Sequence, residues 1–296
     1  MAGETGVTRT TELNELVKRA VTAARFTLQG KAFVRNTLTD KQNLPGNTDT
    51  SLKVPKLTQV EAFALTEGVD MTQAQRVKDS VVTITPEEVG VQVIITDKQM
   101  QTSSEDSRTK IGQVMGNAMA KKMERDTMAL FSGFDTDLGS AAAGFDHDDI
   151  GRGRSNIRGS TVEPNDGRTV CVLHPHHSFD IYQDLTEDPQ AGTDTSVSSI
   201  PSGMSQDIYR EHHLGKLHGT DLFESSLMAV DASDDAVAAV YTPDALITVD
   251  FKPPSLRPER DESRRAVELN LVSDYGQSEY SGIWGFAITA DASAQT

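Results

Sequence analysis

The stretch Ser103–Phe131 constrains this chain more than any other. Ile111, Val114, Met115, Ala118, Met119, Met123 and Leu130 recur along one face of a helix. Ser103 with Asp106 three positions on makes a capping-box-like start, and Gly133 ends the run. At ~1.5 Å per residue this predicts a helix of roughly 42 Å, long for a soluble domain.

What flanks it is less self-sufficient. Leu13, Leu16, Val17, Ala20, Val21 and Ala24 line one helical face, with Thr11 as N-cap, Glu12 favouring the positive end of the helix and Gly30 as the stop. Asn36–Thr50 is polar, with a Pro45-Gly46 turn signal, so the N-terminus reads as a short helix on an arm that leaves the body. Ser51–Leu57 and Gln59–Leu65 are extended in type, Thr66–Gln75 is polar with Gly68 as a break, and alternation resumes through Val77, Val81, Val82, Ile84, Val89, Val91 and Val93. Two long strands around a polar tip predict a β-hairpin arm. Its apolar residues are too sparse for a core of its own, and a lone hairpin is marginal in water. Such an arm packs on something else.

Beyond the helix, Asp135–Gly167 reads as loop, Thr169–His174 as a strand, Ser178–Leu185 as a helix and Thr186–Gly203 as a polar loop. Leu222–Glu224, Met228–Val230, Ala236–Tyr241 and Ala245–Phe251 are strand-like, and Phe251–Arg265 is a proline- and charge-rich link. Ala266–Ser273 and Gly282–Thr289 are closing strands, and no internal repeat is present. The mixture predicts an α+β fold.

Composition excludes several classes. No apolar run approaches the ~20 residues of a membrane span. Met1–Thr11 is acidic and polar where a signal peptide would be basic and then apolar, so none is expected. The single Cys171 excludes an intramolecular disulfide and any multi-cysteine zinc site. With 28 basic and 44 acidic residues, the net charge of −16 repels polyanions over most of the surface. Only 5% of residues are aromatic, with one tryptophan, Trp284, which leaves few stacking platforms for single strands.

Candidate chemistry is thin. Cys171, His174, His176 and His177 cluster, and His212, His213 and His218 form a second group, but neither has a zinc-site spacing. An EF-hand beginning at Asp135 would need Gly and Glu where Ser140 and Asp146 stand. The acids of 135–149 therefore read as solvated loop, with one cation at a subunit interface left open. No nucleophile elbow and no phosphate loop occur. No cofactor, metal or catalytic residue is assigned. Two basic groups stand out in an acidic protein: Arg152, Arg154, Arg158 and Arg168, then Arg257, Arg260, Arg264 and Arg265. They either pair locally, since Glu259, Asp261 and Glu262 lie among the second group, or meet acidic surface on neighbouring subunits through bidentate contacts.

The order of these pieces resembles a known family. Val54-Pro55-Lys56, Glu67-Gly68, Val81–Thr85 and Val91–Asp97 look like the extended loop of Hong-Kong-97-type major capsid proteins returning to its peripheral domain. Ile111–Phe131, with Ala118, Lys122 and Asp126 at four-residue spacing, looks like that family's spine helix. Thr169–Pro175 resembles the strand and proline that open its axial domain, and Leu214–Ser225 resembles a Gly-x-(hydrophobic)-x-Gly segment, strand and serine. Tyr275-Gly276 and the closing strands fit its returning sheet.

The resemblance implies an N-terminal arm (1–46), an extended loop (47–84), a peripheral domain (85–166, with spine helix 103–131), an axial domain (167–250) and a return to the peripheral domain (251–296). It implies a structural, non-enzymatic protein of the virion that assembles in the host cytoplasm into hexamers and pentamers. Their icosahedral shell encloses the double-stranded DNA genome of a tailed virus without sequence-specific binding. Implied partners are further copies of itself, a separately encoded scaffolding protein, a portal and cement or decoration proteins, with no membrane. The eight arginines above and Glu67 are the inter-subunit candidates. The loop tip Thr66–Gln75 has no lysine, so covalent cross-linking is not carried over. Truncating Met1–Thr50 is expected to leave a folded, assembly-defective subunit. An encapsulin-type cargo compartment shares the fold and stands as the alternative, with a soluble metallohydrolase at His174–His177 behind it.

Overall fold

Alternating valines and one methionine stripe build the first layer of the fold. The computed structural model describes residues 33–38, 40–43, 51–57, 60, 62–72, 74–77, 79–102, 105–141, 143–161, 163–186 and 215–294. The predicted helix at residues 11–24, the polar loop after Thr186, Ser103, His212 and His213 lie outside the described residues. Helix α1 (Phe33–Thr37) leads to β1 (Asp40–Asn43), β2 (Leu52–Leu57), β3 (Asp79–Ile84) and β4 (Glu87–Thr96). Helix α2 (Asp97–Thr102) then precedes the long α3 (Glu105–Ala129), which ends in a 3-10 turn at Leu130–Gly133. A four-stranded sheet, ordered β1-β9-β10-β4, uses β9 (Leu246–Asp261) and β10 (Ala266–Glu279). Val89, Val91, Val93 and Ile95 of β4 share a face with Val267, Leu269 and Leu271 of β10, and Ile111, Met115, Met119 and Met123 of α3 cover it. The i, i+4 stripe of α3 thus finds a flat apolar partner.

The second sheet is ordered β11-β8-β5-β7-β6. Its strands are β5 (Val170–Leu173), β6 (Lys216–Leu217), β7 (Thr220–Glu224), β8 (Asp235–Tyr241) and β11 (Gly285–Asp291). Helices α4 (His147–Arg158) and α5 (Pro175–Thr186) cover one face through Ile150, Ile157 and Ile181. The end of α3 and α1 cover the other through Met128, Phe131, Val34 and Leu38. Burial on both faces explains why Val170–Leu173 and Ala236–Tyr241 read as continuous apolar runs.

Four sequence expectations change. Residues 147–158 form α4 within the segment expected to be loop. Its sequence holds Gly151, Gly153, Ser155 and Asn156, all poor helix formers. Asp146 caps it, accepting from the Asp148 N–H at 2.8 Å. A Cβ at Gly153 would sit 3.2 Å from Val240, so the glycine lets the helix approach β8 closely.

Phe251–Arg265 is no link but largely strand, since β9 runs to Asp261. Among the described residues β1 pairs with residues 247–250 alone and no strand pairs with the rest of that edge of β9, where prolines are tolerated. Pro253 and Pro254 sit at a bulge opposite Ser273, whose hydroxyl donates to the Lys252 carbonyl at 3.1 Å.

The closing strands part company, which splits the expected single return of residues 251–296. β10 lies between β9 and β4, whereas β11 pairs with β8 in the second sheet.

Finally, residues 33–43 are part of the body and not a departing arm, because β1 adds a parallel strand to β9 and α1 is buried against α3. A truncation through residue 50 therefore strips body structure, and a cut before Phe33 is the cleaner removal.

Candidate subunit-interface surfaces

Of the hairpin expected to have two long strands, only a short ladder is present, β2 and β3 paired from Leu52–Ile84 to Leu57–Asp79, while Val89–Val93 belong to β4 in the four-stranded sheet. The hairpin base is fastened to the body. Ile84 packs with Ile247, Val249 and Phe251 of β9, and Leu52, Val54, Val82 and Tyr280 close over them. Lys56 supplies the polar anchor: its Nζ donates to Ser281 Oγ at 2.9 Å and lies 3.4 Å from Glu163 Oε2. It also sits 5.8 Å from the centroids of both the Tyr280 and Trp284 rings. Lys56→Ala is expected to destabilise the subunit by about 1 kcal/mol in urea unfolding and to raise protease sensitivity at the hairpin base.

Past Leu57 the hairpin leaves the body, and the described residues from Val60 to Val77 form no strand. Gly68, at φ 79°, makes the turn that a side chain would strain, and the Val69 N–H donates to the Thr66 carbonyl at 3.2 Å. Val60, Phe63, Leu65, Val69, Met71 and Val77 are all exposed, Leu65 by 68% and Met71 by 72%. Single exposed apolar residues are ordinary, but a projecting segment that concentrates them marks an interaction surface. Glu67 stands in the same turn, exposed.

At the opposite side of the four-stranded sheet, α1 is locked to α3. The Val34 N–H donates to both carboxylate oxygens of Glu124, at 3.1 and 3.3 Å. Burial pushes the Glu124 carboxyl up to about 7, against the lowering effect of these bonds and of Arg35. Arg35 donates to Thr248 Oγ1 at 3.0 Å, pairs with Asp250 and lies 5.7 Å from the Tyr275 ring centroid. Thr37 Oγ1 is 2.9 Å from the buried Tyr241 hydroxyl. This junction, with contacts over 200 residues apart in sequence, had no local signal.

The arginines divide. Arg152 donates to Asp149 Oδ1 at 2.8 Å, and Arg154 to the His218 carbonyl. Arg158 reaches the Asp166 and Gly167 carbonyls, each at 3.4 Å, and Arg168 pairs with Asp221. Arg260 makes a bidentate pair with Asp97, at 2.9 and 3.0 Å, and a further bond to Glu262 at 2.7 Å. It holds the Asp97 carboxyl below its usual range. Arg264 bonds Glu268 at 3.3 Å. Arg257 and Arg265 are exposed, with no side-chain hydrogen bond or ion pair among the described residues. Pairing within the subunit therefore accounts for six of the eight, and for only part of the second group by neighbours in sequence.

Among the histidines of 174–177, His174 and His177 have structural roles. His174 Nδ1 accepts from the His176 N–H at 3.3 Å, so it caps α5, where Pro175 takes the first helical position. His177 is buried, stacks on Phe145 with centroids 5.1 Å apart and lies 3.3 Å from the Ala290 carbonyl. Burial pulls its imidazole down to about 4 and pushes the Cys171 thiol well up. Asp137, considered above for calcium, instead receives the Gly139 and Thr289 N–H groups, each at 3.0 Å. No helix among the described residues is long and apolar enough to cross a membrane.

Comparison with known proteins gives the family and the fold. A family model described as phage capsid protein matches residues 78–285. Among solved structures, the chain is similar to that of Mycobacterium phage Che8, with 15% identity, a TM-score of 0.62 and coverage of 81% of this chain and 85% of that one. The mature capsid of bacteriophage PhiM1 gives 14% identity, a TM-score of 0.64 and coverage of 88% and 87%. A virus-like particle from Pyrococcus furiosus gives 10%, 0.58, 92% and 98%. At such identities the likeness shows a shared fold. No curated protein matches the sequence.

Proposed function

Since the chain belongs to the phage capsid protein family, we propose that it closes an icosahedral shell as hexamers and pentamers, each subunit laying its β2–β3 hairpin over the next. It is a major capsid protein with the Hong-Kong-97-type α+β fold, a structural component of the virion that assembles with copies of itself. The observation that carries the finer reading is the row of exposed apolar side chains from Val60 to Val77, on a hairpin whose base alone is buried. A monomer gains nothing from such a projection. A ring of subunits buries every copy of it.

In that reading the four-stranded sheet with α3 is the peripheral domain and the second sheet is the axial domain. Arg257 and Arg265, with Glu67 on the hairpin, are the charged groups offered to neighbours. Double-stranded DNA fills the shell without sequence-specific contacts, and the acidic balance lets it slide during packaging and release. A separate scaffolding protein, a portal and cement proteins complete assembly in the host cytoplasm. A cargo-compartment shell would use the same fold, and no feature of the described residues favours it.

Expression of the full chain alone, followed by negative-stain microscopy, tests the reading. Closed shells, capsomers or aberrant tubes are expected. Monodisperse monomers would overturn it, and shells that co-purify with one cargo enzyme would move the assignment to a compartment.

A further inference from the structure

Three metal-competent side chains converge where α4 meets the β6–β7 turn. His147 and Asp148 stand in the first turn of α4, and His218 stands in the turn between Leu217 and Thr220. One ligand atom from each lies within 4.8 Å of the other two. His147 Nε2 is 3.6 Å from Asp148 Oδ1, while its Nδ1 is 3.5 Å from Asp146 Oδ1. One ring nitrogen therefore lies beside the Asp148 carboxylate and the other beside the carboxylate that caps the helix. Ligand imidazoles are commonly oriented in this way, by a carboxylate behind them.

The position of His218 is fixed by its surroundings. Its φ of 49° lies in the left-handed region, seldom adopted by a side-chain-bearing residue. Its carbonyl accepts from Arg154, and its ring lies against Gly151, where an added Cβ would come within 3.3 Å of it. The His147 and His218 rings stack at 14°, with centroids 5.9 Å apart. Backbone and packing thus fix His218, and the two rings and the exposed Asp148 carboxylate stand within reach of one another.

We propose that His147 Nε2, the Asp148 carboxylate and His218 bind one divalent ion of the zinc class, clipping the β6–β7 edge of the second sheet to α4. Two imidazoles and one carboxylate suit Zn²⁺ or Co²⁺, with water completing a tetrahedron, whereas Ca²⁺ and Mg²⁺ prefer oxygen donors throughout. The clip lies where the sheet is weakest. β6 is its edge strand, only two residues long, and meets β7 in two residue pairs. The proposal concerns each subunit alone and does not rest on the shell geometry.

The test is calorimetric titration of chelator-stripped full-length protein with Zn²⁺, with Co²⁺ as the spectroscopic probe. One saturable equivalent per chain is expected, with ligand-field absorption from a Co²⁺ ion of low coordination number. His147→Asn, Asp148→Asn and His218→Asn should each weaken binding at least tenfold, while His176→Asn leaves it unchanged. Zn²⁺ at a hundredfold excess over Kd should raise the unfolding temperature by about 5 °C, and Mg²⁺ should not. Asp148 and His218 are exposed, so their variants are expected to keep the wild-type circular dichroism spectrum. Absence of a saturable equivalent, undiminished binding in Asp148→Asn or His218→Asn, or loss of binding only in a His212→Asn/His213→Asn variant would overturn the proposal.

Discussion

Replacing Phe63, Leu65, Val69 and Met71 together by serine is expected to abolish shells while leaving the subunit as stable as before. All four side chains are solvated in the isolated subunit, at 46–72% exposure, so their loss should shift its urea midpoint by no more than about 0.5 kcal/mol in stability. Between subunits the balance reverses. Burying about 40 Å² of each side chain contributes about 1 kcal/mol at ~25 cal/mol per Å², hence about 4 kcal/mol for each hairpin laid on a neighbour. That is roughly a thousandfold in each pairwise contact, and a closed ring repeats the contact in every subunit. Sedimentation velocity and electron microscopy on the same preparation give both readouts. Normal shells from the quadruple variant would remove the hairpin from its assigned role. A collapsed urea midpoint would instead mean that the tip folds back onto its own body.

Glu124→Gln should flatten the pH dependence of stability. The carboxyl titrates at about 7 in the folded chain against 4.5 in the unfolded one. Below 4.5 both states hold the proton, and the stability of the α1–α3 junction is complete. As pH rises from there, the unfolded chain releases the proton while the folded chain keeps it, so stability falls until both have released it above 7. The loss approaches about 3 kcal/mol. Glutamine keeps an acceptor for the Val34 N–H and never ionises. The variant should therefore match wild type near pH 4.5 and exceed it by up to about 3 kcal/mol at pH 8. Urea unfolding at both pH values decides it: parallel profiles would mean that Glu124 is ionised in the fold throughout.

Where apolar period and burial agree, the sequence was readable. The Met115, Met119 and Met123 stripe and the Val89–Ile95 alternation each need one flat partner, and each has it. The hairpin was legible for the complementary reason, having too little apolar surface for a core. Helix α4 was obscured by glycines that serve its approach to β8 and the His218 turn, although Asp146, Ile150 and Ile157 carried a faint signal. β9 was obscured by prolines that only a free edge and a bulge make tolerable. The interface candidates were legible only as residue types. Which arginine remains free depends on partners such as Asp97, 163 residues from Arg260, and on the carbonyl that Arg154 finds at His218. His174 had the composition of a ligand and the position of a cap.

The bulge at Pro253-Pro254 has a mechanical consequence. β9 and β10 form a ribbon about 50 Å long, fastened at one end to the hairpin base through Ile247 and Phe251 and at the other to α2 through Arg260 and Asp97. A ribbon loaded at both ends bends where its ladder is interrupted, and here that is the stretch from Val272 to Tyr275, where the register against β9 shifts twice. The four-stranded sheet thus has one weakened seam, between β9 and β10, beside a continuous β10–β4 ladder. In the proposed shell, outward load on a subunit is then taken up first by bending along this seam.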